Sequence, residues 1–341
     1  MSLRRSSHRK ADLSNFVLEV TQECNENCIY CYNVWKHCRY PKGGLDLGEW
    51  KSIIRKLKEE SRVKLVSISG GEPLLYPELL DLVDFIKMNG ISVNLLTNGA
   101  LIDEKIAGEL VKRRISIFEI PLVASTPELH RELKGCDDLD AVMNGMANVL
   151  KEKGKIIQTF VATNRNITDI QDAVELGIVL GSRGLMFNRI NPACKEHLPL
   201  LPTKMEISAA LEFLNSFSKK NHYPVSSSIP IQPCILDMEK YRKISHGYCP
   251  SGNERSYYTI DPMGNVRICN HSPTIIGNLL EGSLQEIIGS SFVSEFKQAL
   301  PEICKSCDRA EECKGGCKAA AQVCFGSLDR SDPFFEAERP I

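Results

Sequence analysis

Short apolar, β-branched runs recur through residues 16–190, starting near Phe16, Lys64, Ile91, Ile115, Lys155 and Gly184. Val63–Ser69, Ile91–Thr97 and Ile115–Ile120 are representative. Their apolar positions run nearly without interruption, which predicts strands covered on both faces, as in a parallel sheet. Helical stretches lie between them, roughly over 47–60, 76–89, 103–113, 138–152 and 168–181, with Asp46, Thr126, Asp137 and Thr168 at or near their N-caps. Six βα units in succession predict an α/β fold: a right-handed, parallel, partial (β/α)6 barrel over residues 16–220. Six strands are too few to close the usual eight-stranded barrel, so one side stays open to a large substrate.

A further helix over about 204–219 ends this region. The Pro/Ser-rich run Tyr223–Pro233 reads as a linker, placed at 221–248. Beyond it, 257–269 reads as a hairpin with its turn at Asp261–Asn265. Residues 249–330 form a second, cysteine-rich domain. A tail at 331–341 carries Phe334 and Phe335, which are expected to pack back on the protein. Residues 1–15 are expected to be a disordered tail. It is basic (Arg4, Arg5, His8, Arg9, Lys10), but no apolar segment follows, so it is not a secretion signal. No fixed-period repeat is present.

Composition narrows the classes. Of 341 residues, 43% are hydrophobic and 25% charged, as in ordinary globular chains. Lys and Arg number 42 against 43 Asp and Glu, which excludes a polybasic nucleic-acid or membrane-surface binder. No apolar run nears the roughly 20 residues that span a bilayer. The expected location is cytoplasmic. Fourteen cysteines then change the picture. A long chain without a secretion signal, with its cysteines in two clusters, points to metal or cluster ligands rather than disulfides.

The first cluster, Cys24-x3-Cys28-x2-Cys31, follows the first strand directly. Three thiolates on one loop can hold three irons of a [4Fe–4S] cluster and leave the fourth open to a ligand. A zinc site lacking its fourth ligand is the alternative. The motif, its place after a first strand and the six βα units resemble the radical S-adenosylmethionine (SAM) superfamily. The resemblance implies that the open iron chelates SAM and that reductive cleavage yields a 5′-deoxyadenosyl radical, which abstracts a hydrogen from substrate. It also implies SAM-facing roles for Ser69, Gly70, Gly71, Glu72 and Pro73 at the end of the second strand. Thr97 and Asn98 match the turn after the third strand. Tyr30 resembles the aromatic beside adenine. Ser125, Asn164 and Arg189, at the ends of the fourth to sixth strands, are candidates for ribose or carboxylate contacts.

The second cluster is Cys249-x14-Gly264-x4-Cys269, then Cys304-x2-Cys307-x5-Cys313-x3-Cys317, then Cys324. It resembles the seven-cysteine signature of a SPASM domain, which implies two auxiliary [4Fe–4S] clusters and three clusters in all. By that resemblance Cys304, Cys307, Cys313 and Cys324 hold the outer cluster. Cys249, Cys269 and Cys317 hold the inner one, with Cys234 the candidate fourth ligand or an open iron in its place. Cys38, Cys136 and Cys194 read as ordinary thiols.

Auxiliary clusters imply net oxidation of a substrate radical, and a flavodoxin- or ferredoxin-type reductant to supply the low-potential electron. The expected substrate is a peptide or protein matured by a crosslink, thioether or side-chain oxidation. The alternative is a small molecule, as in haem-pathway oxidative decarboxylation or alcohol dehydrogenation. Only about 15 residues precede the first strand, so a leader-peptide reader would be a separate chain, or no leader is used. Glu119, His130, Arg131, Asn188 and His271 are the candidate substrate-side acids and bases. Asn270 stands where formylglycine-forming relatives have an Asp, which lowers that reading, because an amide cannot act as a base.

Overall fold

A computed structural model describes residues 10–251 and 256–337. One sheet of eleven strands organises them. The barrel strands are β1 (Asn15–Glu19), β2 (Leu65–Ser69), β3 (Ser92–Leu96), β4 (Ile117–Pro121), β5 (Ile156–Ala162) and β6 (Ser182–Arg189). All pair in parallel and in chain order, with Phe16 against Val66, Val66 against Val93 and Phe118 against Ile156. Helices cross between them on the outer face. Leu47–Glu60 starts with a capping box between Asp46 and Glu49, and it buries Trp50, Ile53, Ile54 and Leu57 on one face. Asp103 and Thr126 cap the helices Glu104–Lys112 and Pro127–Lys134.

The strands are less uniform than their sequence suggests. In β4 and β5 the burial alternates, with Phe118, Ile120 and Phe160 under the helices and Glu119, Thr159 and Val161 facing inward. The barrel does not close, so its inner face borders a cavity instead of a packed interior. Polar residues are tolerated there.

Two segments expected to be loose are packed. Ala11 bridges to Ser61, and Ala11 and Leu13 are buried, so the chain is ordered ahead of β1. The rest of the expected disordered tail, residues 1–9, lies outside the described residues. The expected linker contributes β7 (Val225–Ser226) and β8 (Ile244–Ser245), which extend the sheet beyond β6. It also buries Ile231, Ile235, Leu236, Met238 and Tyr241. Its Pro/Ser composition hides a chain that crosses the barrel mouth under apolar cover.

The cysteine-rich domain joins the same sheet from the other side. β9 (Tyr257–Ile260) pairs in parallel with β1, and β10 (Asn265–Arg267) and β11 (Ile275–Asn278) follow antiparallel. The β9–β10 turn is closed by Asp261, whose Oδ1 accepts from the Met263 and Asn265 N–H groups, with Gly264 at φ 79°. A buried ion pair, Arg267 with Glu19, ties this hairpin to β1. At the C-terminus, helix Pro333–Ala337 buries Phe334 completely beside Arg189. No helix among the described residues is long and apolar enough to cross a membrane.

Candidate functional site

The mouth of the barrel forms one pocket in which the cysteine loop, the ends of β2–β6, residues 228–229 and the C-terminal domain meet. Cys24, Cys28 and Cys31 all line it. Their loop is held from below by the C-terminal end of helix Pro127–Lys134. Asn27 N–H donates to the Lys134 carbonyl at 3.0 Å and Ile29 N–H to the Leu133 carbonyl at 2.9 Å. Lys134 Nζ pairs with Glu26 Oε2 at 2.7 Å, and both side chains are essentially removed from water. Burial pushes the Cys24, Cys28 and Cys31 thiols up, while Lys36 and Lys134 pull the Cys31 thiol back down. Three soft donors on one loop, crowded into a pocket with two lysines that offset thiolate charge, fit an iron–sulfur cluster with three protein ligands.

The Ser69–Pro73 turn packs backbone against backbone on the strand that leads into this loop. Gly71 N–H donates to the Thr21 carbonyl and Glu72 N–H to the Glu23 carbonyl, both at 2.7 Å. A Cβ on Gly71 would lie 2.0 Å from the Glu23 carbonyl oxygen, and Gly70 adopts φ 144° with its own Cβ position 2.6 Å from the Thr21 oxygen. Glycine is therefore required by the cysteine loop's approach to this turn. Glu72 is fully buried. It accepts from Leu74 N–H at 3.0 Å, Thr97 Oγ1 at 2.7 Å and Asn98 N–H at 2.8 Å, which joins the turns after β2 and β3. Burial pushes its carboxyl up to about 7. Asn98 then reaches Asn25 on the cysteine loop at 2.8 Å.

Tyr30, Ser69, Gly70, Gly71, Thr97, Asn98 and Arg189 line the pocket with the three cysteines. Glu72 and Pro73 stand behind it, and Glu72 acts there as a brace. Ser125 and Asn164 are not among the lining residues. Asp169 takes both the Ser125 N–H (2.7 Å) and hydroxyl (2.5 Å), and Asn164 donates to the Pro199 carbonyl at 2.8 Å. Local capping and loop closure hold both groups elsewhere. Arg189 borders the pocket, but its guanidinium is committed to Asp332 at 2.6 Å and to the Pro230 carbonyl. It anchors the C-terminal segment.

Of the candidate acids and bases, Glu119, Asn188 and His271 line the pocket. Burial alone pushes Glu119 up to about 7. Burial, with Arg267 and Arg189 nearby, pushes His271 down to about 3, so it is neutral. His130 is buried against Asp138 at 2.7 Å, and Arg131 pairs on the surface with Asp137. Asn33, Asn191 and Ser228 are pocket residues that no sequence signal marked. Asn33 donates to the Gly70 carbonyl at 2.9 Å, and Ser228 N–H donates to Asn188 at 2.8 Å.

The C-terminal cysteines form two groups. Cys249, Cys269 and Cys317 are neighbours: burial, with Cys317 and Cys249 beside it, pushes the Cys269 thiol up, and burial, with Asp332 and Cys249 beside it, pushes the Cys317 thiol up. Asn191 links them to the pocket, with its Nδ2 3.2 Å from Cys317 Sγ. Cys234 is not in this group, contrary to expectation. It lines a separate cavity with Cys304, Cys307 and Cys313. Cys324 is not on that cavity either; it is fully buried in helix Lys318–Phe325, 3.5 Å from the Cys194 carbonyl. Cys38 donates to the Val34 carbonyl and Cys136 to Asp138. Cys194 has ligating neighbours that its reading as an ordinary thiol missed: its Sγ and ring nitrogens of His37 and His197 lie within 4.8 Å of one another. The Cys194-x2-His197 spacing was the available signal.

An open parallel barrel with three cysteines after its first strand, extended by a cysteine-rich hairpin domain, defines an iron–sulfur protein built on a SAM-binding scaffold. Two family models match: the radical SAM superfamily over residues 18–177 and an iron–sulfur cluster-binding domain, SPASM, over residues 249–308. The chain belongs to the radical SAM superfamily and carries a C-terminal SPASM domain. Among solved structures it is similar to anSMEcpe with bound AdoMet, at 19% identity over 95% of this chain and 94% of that one, with a TM-score of 0.75. It is also similar to Streptococcus suis SuiB bound to precursor peptide SuiA, at 17% identity over 95% and 76% of the two chains, TM-score 0.74. These likenesses show the fold.

Proposed function

We propose that the protein is a radical SAM oxidoreductase that matures a peptide or protein. When bound, SAM and a [4Fe–4S] cluster supply a 5′-deoxyadenosyl radical that removes a hydrogen atom from substrate. The observation that carries the reading is the convergence of Cys24, Cys28 and Cys31 with the Ser69–Gly71 and Thr97–Asn98 turns on one pocket.

The chain's own residues divide the work. Cys24, Cys28 and Cys31 would hold the cluster, and Lys36 and Lys134 offset the thiolate charge. The Glu72 brace fixes the two turns that face the cofactor, so the site is preorganised. Glu119 sits on the inner face of β4 with a pKa near neutral, where it can take a substrate proton at physiological pH. His271, packed at a tilt against Tyr32 at 4.7 Å, stays neutral and offers the substrate a hydrogen-bonding ring nitrogen, not a base. Asn191 leads from the pocket to Cys249, Cys269 and Cys317, which would hold a cluster able to accept an electron from the substrate radical.

The peptide class is supported by the structural neighbours, one with an AdoMet and Cp18Cys peptide complex and one bound to the precursor SuiA. It is also supported by the open barrel side. The test is anaerobic turnover with SAM, a flavodoxin-type reductant and peptides encoded beside its gene. Methionine and 5′-deoxyadenosine should form in equal amounts together with a peptide that has lost hydrogen. Turnover that survives replacement of Cys24, Cys28 and Cys31 by Ala would refute the chemistry. Turnover that ignores every peptide but responds to a small alcohol or carboxylate would refute the substrate class.

A further inference from the structure

The outer cysteine cavity departs from the ligand set that the seven-cysteine signature implies. Four thiols line it: Cys304, Cys307 and Cys313 of the domain, and Cys234 from the segment that crosses the barrel mouth. Cys324, the last cysteine of the signature, belongs to a different neighbourhood. It follows Cys317 by only seven residues and lies within the helix Lys318–Phe325, which points its thiol at the Cys194 carbonyl.

The segment at Cys234 is built to present a sulfur. The Gln232 carbonyl accepts from Ile235 N–H at 2.9 Å and Leu236 N–H at 3.1 Å, a tight turn that carries Cys234 at its apex. Gln232 supplies an independent sign of a missing group. Its side chain is 2% exposed, it lines the same cavity, and neither amide atom has a hydrogen-bond partner. A buried amide left unpaired is costly, and the sulfide acceptors of an anionic cluster beside it would take its Nε2 hydrogens.

We infer that Cys234 completes a four-thiolate site with Cys304, Cys307 and Cys313, and that Cys324 is a structural thiol. The inference rests on the reading that the C-terminal region holds auxiliary clusters, and it names the ligands of one. Two consequences follow. A cluster ligated by four cysteines has no open iron, so its role is electron transfer. Cys234 and Cys307 are exposed, which places it where an external partner can reach it. Ser228 and Ile229, which line the substrate pocket, are only six and five residues before Cys234. Ligation of Cys234 therefore fixes that pocket wall.

The test uses the full chain with Cys24, Cys28 and Cys31 replaced by Ala, purified and reconstituted without oxygen, so that only auxiliary clusters remain. This parent should hold about eight irons per chain, four for each of two clusters. Cys234→Ala should remove roughly one to four of these and change the low-temperature electron paramagnetic resonance spectrum of the reduced protein. Cys307→Ala should do the same, and the Cys234→Ala/Cys307→Ala pair should lose no more than the roughly four irons of one cluster. Cys324→Ala should keep the parent's iron and spectrum. A full iron complement in Cys234→Ala, or a loss in Cys324→Ala as large as that in Cys234→Ala, overturns the assignment. A parent without iron or labile sulfide would instead overturn the auxiliary-cluster reading beneath it.

Discussion

Removing the ammonium of Lys134 should destabilise the protein through the cysteine loop. Lys134 and Glu26 are 1% and 2% exposed, and Lys134 Nζ lies 2.7 Å from Glu26 Oε2. Among the described residues the other Glu26 oxygen has no hydrogen-bond partner, and the only further hydrogen bond to Oε2 is from the Cys28 thiol at 3.1 Å. Lys134→Met keeps the stem's volume and removes the charge, leaving a buried carboxylate with almost nothing to offset it. Stripping one partner from a buried pair costs about 3–5 kcal/mol, and the scarcity of other partners puts this site in the upper part of that range. Adding Glu26→Gln removes the stranded charge, so the double variant should recover at least about 2 kcal/mol of the loss. The field of Cys28 and Glu26 outweighs desolvation and holds Lys134 above its ordinary value of 10.5. Its stabilisation is therefore complete below that pH and is lost only as pH rises through the folded value, so the effect should match at about pH 6.5 and about pH 8.5. The assay is anaerobic urea unfolding, with iron content measured on the same samples. A loss below about 1 kcal/mol for Lys134→Met, or a double variant no better than the single, would refute the reasoning.

Two further outcomes follow from the pocket. Glu119 is raised from 4.5 to about 7, so the folded chain holds this proton more tightly than the unfolded chain. Stability should fall as pH rises from about 4.5 to about 7, and Glu119→Gln should flatten that slope and remove any rise of turnover through neutral pH; a variant with the wild-type slope counts against the role. Gly71→Ala places a methyl 2.0 Å from the Glu23 carbonyl oxygen, a clash of two backbones that no rotamer relieves. It should cost more than about 3 kcal/mol and empty the Cys24–Cys31 site of iron, whereas a variant within about 0.5 kcal/mol of wild type would show that the loop can yield.

Much of this protein was legible in its residue order. Six apolar runs separated by capped helices determine a parallel α/β sheet, because only crossover helices connect neighbouring parallel strands. The cysteine spacings pointed to soft-metal ligation, and their resemblance to family motifs to iron–sulfur clusters. What the sequence could not show was which distant groups meet. The Pro/Ser run at 223–233 suggested a linker over 221–248, yet burial of Ile231, Ile235 and Leu236 fixes that segment as a wall of the pocket and carries Cys234 to Cys304, Cys307 and Cys313. Arg189 lies at a strand end like a ligand-binding residue, but Asp332, 143 residues away, occupies its guanidinium. Ser125 has the same kind of position and is held by Asp169. Local propensity and spacing are properties of neighbours along the chain. Ligand partition and the commitment of buried charges depend on long-range contacts, where desolvation makes every unpaired group costly, and only the folded structure settles those pairings.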